Sequence, residues 1–237
     1  MEIGVDKIPK DENFMSALRS YYKQAPATTC FAALMVAIWL ITVFQSSSII
    51  HSLAGSSLGN ALMMYGPYAT QFPAGLVRIF GNAFVHQGAS HLAMNLFILI
   101  FLGREVEKFF GSAIYTLIFI TGISGASAAI TWMSYAVPVI GASGTIFSLM
   151  TLYTAIAFYQ RINMQSALVL LGINIVSTFI IPGISIWGHL GGVVTGIALM
   201  PLVTARRKKA RGVQLVWIVV LLLVTLVLIF QREQFFA

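Results

Sequence analysis

Seven apolar runs, at 28–46, 87–103, 113–135, 143–160, 164–181, 184–204 and 213–231, leave this chain few ways to fold. Most are near the roughly 20 residues that cross a bilayer as a helix. Backbone in hydrocarbon must satisfy its own hydrogen bonds, which a helix does within one segment. Only 9% of the residues are charged and 58% are hydrophobic, whereas soluble domains carry about 25% charged residues. The fold class this predicts is all-α, a polytopic membrane helix bundle. The second run is short and carries polar residues, so its helix is expected to begin near His86.

The basic residues set an orientation, because Lys and Arg accumulate on the cytoplasmic side of short connections. Lys7, Lys10, Arg19 and Lys23 precede the first run, Arg104 and Lys108 follow the second, and Arg161 follows the fourth. The cluster Arg206, Arg207, Lys208, Lys209 and Arg211 follows the sixth. With seven crossings these all fall on one side, and only Arg78 and Arg232 fall on the other. The expected arrangement has the N-terminus cytoplasmic and the C-terminus outside. The net charge of +7 is then a topology signal and not a nucleic-acid site.

Residues 1–27 are polar, with no early apolar core of a signal peptide. They read as a cytoplasmic tail or as a short amphipathic surface helix carrying Phe14, Leu18 and Tyr21 or Tyr22. The connection 47–85 is long and holds Tyr65, Tyr68, Phe72, Leu76, Ile79 and Phe80. Such a connection is more often structured than not, so short helices at the outer interface are expected. The single cysteine, Cys30, has no disulfide partner and reads as a small packing side chain.

Polar residues inside a bilayer are costly and mark function. Span two holds His91 and Asn95, four apart and on one helical face. Span four opens with Gly141-Ala142-Ser143-Gly144, span five has Asn174 and Ser177, and span six has His189 among Gly188, Gly191, Gly192 and Gly196. The tetrad alone also fits close helix packing. Topology adds what it lacks: spans two, four and six begin on the same side, so His91, Ser143 and His189 lie at similar depth. A serine beside an imidazole is an activated nucleophile. No Asp or Glu occurs in spans three to six, so the pair would act as a dyad. His91 and Asn95 could donate to a tetrahedral oxyanion, with the Ser143 backbone N–H; the alternative for each alone is a hydrogen bond that bridges two helices. No His-Glu-x-x-His is present, and neither a metal nor a cofactor is expected.

These residues resemble the rhomboid family of intramembrane serine proteases. The resemblance covers roughly 75–200 and rests on His91-Leu92-Ala93-Met94-Asn95, on Gly103 to Ser112, on Gly141 to Gly144, and on Gly188-His189-Leu190-Gly191-Gly192 with Gly196. It implies Ser143 as nucleophile, His189 as general base, and His91 and Asn95 in the oxyanion hole. It further implies a six-helix catalytic core with one extra C-terminal span, so the expected domains are the tail over 1–27, a six-helix catalytic domain over 28–204, and a basic loop, seventh span and short outer tail over 205–237. Val77-Arg78 stands where the family often has Trp-Arg, with Arg78 keeping a loop-anchoring role. Phe147 replaces a tyrosine that packs on the histidine, keeping the ring and losing the hydroxyl. His86 resembles a family histidine at the edge of the site, for water access or structure.

The activity implied is hydrolysis of peptide bonds in or near single-pass transmembrane segments, close to the outer face of a bacterial plasma membrane. The expected partners are those substrates and the lipid bilayer, with no nucleic acid and no metal. The competing readings are a non-proteolytic membrane factor that binds clients, and a transporter lined by the same polar residues.

Overall fold

The computed structural model describes residues 14–205 and 210–236. An amphipathic α1 (Phe14–Gln24) comes first, with Leu18 and Tyr22 exposed and the Tyr21 hydroxyl bonded to the Ile100 carbonyl. Residues 1–13 and the basic positions 206–209 lie outside the described residues.

Each apolar run is a helix. The first is α2 (Pro26–Ser46), opened by a proline whose missing N–H would be unpaired there anyway. The connection that follows folds into α3 (Ser57–Leu62), α4 (Gly66–Ala69), α5 (Gly75–Gly81) and a 3₁₀ turn at Asn82–Phe84. The second span, α6 (Gly88–Ile98), passes through a π-helical stretch, Leu99–Gly103, into α7 (Arg104–Phe110). It starts two residues after His86, which stays in the connection. It also outruns its apolar stretch, because the polar end of α7 packs on the start of α2. There the Glu107 carboxylate, 1% exposed, accepts from the Ala27 N–H at 2.9 Å, the Thr28 N–H at 2.8 Å and the Thr28 hydroxyl at 2.7 Å. These are α2 donors with no partner inside their own helix.

The remaining spans are α8 (Ser112–Met133), α9 (Ser143–Tyr159), α10 (Gln165–Ile180), and α11 (Ile186–Leu199) continued by α12 (Pro201–Thr204). The last is α13 (Arg211–Phe236). It is longer than its apolar run, because its polar end is held by side chains of the neighbouring connections. Thr70 donates to Glu233 at 2.9 Å, and the Arg232 guanidinium lies 3.4 Å from the Tyr135 ring centre.

At the centre is α8, packed against α9, α11 and α13. Lipid tails are as apolar as leucine, so helices here associate through close packing and polar bonds, which small residues permit. Gly191 meets α8, where an added Cβ would lie 2.5 Å from Ala129 Cβ. Gly192 meets α9, where an added Cβ would lie 2.0 Å from the Gly144 carbonyl oxygen. Outward faces are apolar and exposed, notably on α10 (Leu168, Val169, Ile173, Val176) and on α13. Cys30 corrects one expectation: it lies on an exposed face of α2 and does not pack inside.

Candidate active site

The segment before α9 is set by glycine and by the connection 47–85. Gly141 has φ +106°, a left-handed conformation, and a Cβ there would come within 2.8 Å of the His91 ring. Only glycine allows both. Its N–H donates to the Asn82 carbonyl at 2.9 Å, and Met64 exchanges two backbone bonds with Val139, at 2.9 and 2.8 Å. Arg78 holds the same connection by donating to the carbonyls of Asn60 (2.8 Å) and Met63 (2.9 Å). The chain therefore enters α9 in one conformation, with the buried Ala142 as the preceding cap residue and Ser143 as the first helical residue.

The start of α11 is equally determined. Pro182-Gly183 turns the chain, with Gly183 at φ +81°. The Ser185 hydroxyl then caps the helix by accepting from the Gly188 N–H at 3.1 Å. His189 stands one turn in, 8% exposed. Because Gly192 lies against the Gly144 carbonyl, the two helices approach closely enough for His189 Nε2 and Ser143 Oγ to sit 2.8 Å apart. Gly144 is itself confined, since a Cβ would be 2.5 Å from Ala126 Cβ. Phe147, one turn below Ser143, stacks on the His189 ring with centroids 4.2 Å apart and planes at 24°.

The third helix in the group is α6. His91 sits in its first turn, its ring over Gly141 and edge-on to His86 at 5.1 Å between centroids. Asn95 follows one turn on, 5% exposed, donating one Nδ2 proton to the His91 carbonyl at 2.8 Å. His91, Ser143 and His189 thus lie in the first turns of α6, α9 and α11. A cavity with about 10 Å³ of room for a water-sized sphere adjoins Ser143, lined in part by Ala83, Ala126, Gly144 and Gly188. That is space for about one water molecule.

One contact was not read from the sequence. Thr178 on α10, 2% exposed, places its hydroxyl oxygen 2.7 Å from His189 Nδ1. The signal was available: Asn174 and Thr178 are four residues apart, a polar pair on one face of a mostly apolar helix. His86 is also fully buried, and burial first, then the nearby His91, hold its pKa far below 6.5, at about 3. Among the described residues, no group of three or more His, Cys, Asp or Glu is arranged to hold a metal ion.

A hydroxyl within hydrogen-bond reach of an imidazole is the pairing that nucleophile-and-base chemistry needs. Comparison with known proteins adds a lineage. The family model described as "Rhomboid domain" matches residues 73–206. The rhomboid protease GluP of Bacillus subtilis is 34% identical over 118 residues, 47% of this chain and 23% of that protein. Human rhomboid-related protein 3 is 22% identical over 182 residues, 69% of this chain and 45% of that protein. The putative rhomboid protease YdcA of Bacillus subtilis is 23% identical over 209 residues, 84% of this chain and 98% of that protein. The chain therefore spans less than half the length of the first two, and nearly all of the third.

Proposed function

The chain belongs to the rhomboid family and is a multi-pass membrane protein, and on that premise we propose that it is an intramembrane serine endopeptidase. Its proposed substrates are single-pass membrane proteins, cut in or near their transmembrane segments. The observation that carries the reading is the 2.8 Å contact between Ser143 Oγ and His189 Nε2. In the proposed reaction His189 takes the hydroxyl proton as Ser143 attacks the scissile carbonyl. It then gives that proton to the leaving amine, and a water molecule repeats the sequence on the acyl-enzyme. His91 and Asn95 donate to the oxyanion, each such donor supplying about 3–4 kcal/mol.

The supporting residues have proposed roles drawn from their contacts. Gly141 lets the His91 ring approach, Ala142 and Gly144 keep the neighbourhood of the serine small, and Phe147 holds the imidazole plane. Arg78 anchors the connection 47–85, and His86 backs His91. A helical peptide bond is shielded by its own hydrogen bonds, so the substrate must unwind locally. The cavity of about 10 Å³ beside Ser143 favours a small side chain at the cut. The charge distribution supports a cytoplasmic N-terminus and, with it, the reading of a site near the outer face of a bacterial plasma membrane.

A fluorophosphonate serine-hydrolase probe tests this in detergent. Wild type is expected to label, and Ser143→Ala and His189→Ala are each expected to lose labelling while still inserting and folding. A well-folded wild type that neither labels nor cleaves a transmembrane substrate would overturn the protease reading in favour of client binding without cleavage.

A further inference from the structure

We propose that Thr178 is a positioning residue for His189, holding its imidazole in the tautomer with the proton on Nδ1. The proposal rests on the reading of Ser143 and His189 as nucleophile and base. It follows from following the protons. The Thr178 hydroxyl has one proton and faces two groups: the Asn174 carbonyl at 2.9 Å and His189 Nδ1 at 2.7 Å. A carbonyl can only accept, so the hydroxyl donates to Asn174. Its oxygen then meets Nδ1 with a lone pair, and Nδ1 must carry the hydrogen. A neutral imidazole has a single N–H, which leaves Nε2 bare toward Ser143 Oγ, 2.8 Å away. That is the direction a general base requires. With the opposite tautomer, Asn174 and Nδ1 would compete for one hydroxyl proton, and Nε2–H would point at the oxygen it has to deprotonate.

Two further observations separate this from ordinary back-bonding of a threonine in a helix. Thr178 and Ala167 are the only buried residues of α10, whose other positions are at least partly exposed. The hydroxyl is therefore the one buried polar side chain that α10 contributes to the bundle. The acidic residues of the chain are Glu2, Asp6, Asp11, Glu12, Glu105, Glu107 and Glu233, so none lies in α8 to α12. In a Ser-His-Asp triad a carboxylate fixes the tautomer. Here a neutral hydroxyl, itself oriented by a backbone carbonyl, takes that place. It also accepts from Nδ1–H when the imidazole becomes doubly protonated, more weakly than a carboxylate would.

The test uses the full chain in detergent with ¹⁵N-labelled histidine, His189 signals being assigned by their loss in His189→Ala. The wild type should show a protonated Nδ1 and a bare Nε2. Thr178→Val, which keeps the shape without the hydroxyl, should mix the tautomers. It should also lower probe labelling and turnover roughly 10–100-fold, with little change in KM, short of the roughly 10⁴-fold loss when a triad carboxylate is neutralised. Thr178→Ser should restore both readouts. A wild-type spectrum with the proton on Nε2 overturns the proposal whether or not the valine variant folds. So does a valine variant with unchanged tautomer, whatever its rate. Labelling that survives Ser143→Ala would instead overturn the underlying nucleophile assignment, and the wild-type tautomer would still be measured independently of activity.

Discussion

Asn95 spends one amide proton on the His91 carbonyl, a bond within its own helix, and has a second N–H left to donate. The first bond orients the amide, so the second is ready without reorganisation when negative charge develops. Asn95→Ala is expected to lower kcat by roughly two to three orders of magnitude with membrane insertion unchanged, the range for a lost oxyanion donor. An unchanged kcat in a transmembrane-substrate assay would remove Asn95 from that role. His86 makes a different prediction. Its folded pKa of about 3 lies below the usual 6.5, so between those values the unfolded chain binds a proton that the folded chain excludes. The stability due to neutral His86 is therefore present above about pH 6.5 and is lost as pH falls toward 3. The expected slope is one proton, roughly 1.4 kcal/mol per pH unit. His86→Gln should flatten the fall in stability on acidification, read as a smaller drop in thermal midpoint, and an unaltered pH profile would contradict it.

At the scale of elements, helix ends carry most of the determinism. Span six could be placed from its own letters: a Pro-Gly turn, a serine cap and then an apolar run. The start of α9 was legible in the same way, through the small residues of the tetrad. The end of span two was not, because α7 is polar and its helix is held from outside by α2. Glu107 supplies acceptors for three α2 donors, and glutamine offers a single acceptor oxygen. Glu107→Gln is thus expected to cost roughly 1–3 kcal/mol, seen as a lower thermal midpoint in detergent. Labelling per folded molecule should stay at the wild-type level, since Glu107 is near the end of its span while His91 is at the beginning. A midpoint equal to wild type would mean that water or backbone replaces the carboxylate.

For the whole molecule, the alternation of seven crossings decides which groups share a level. The chain places twelve of its fourteen Lys and Arg on the side proposed as cytoplasmic. A tag at the N-terminus should then be protected in intact spheroplasts, and one at the C-terminus should be cleaved by external protease. The reverse pattern would move the opening at Ser143 to the inner face. The apolar helices, their order and the placing of His91, Ser143 and His189 in the first turns of α6, α9 and α11 were readable from the residues. Rotation of the helices was not. In water an apolar stripe tells which face of a helix turns inward, but in lipid the outward face is as apolar as the inward one, so the pattern carries little of that information. Contact through small residues supplied it. Gly192 against the Gly144 carbonyl brings imidazole to hydroxyl, and the turn of α10 that brings Thr178 to Nδ1 exists only in the assembled bundle.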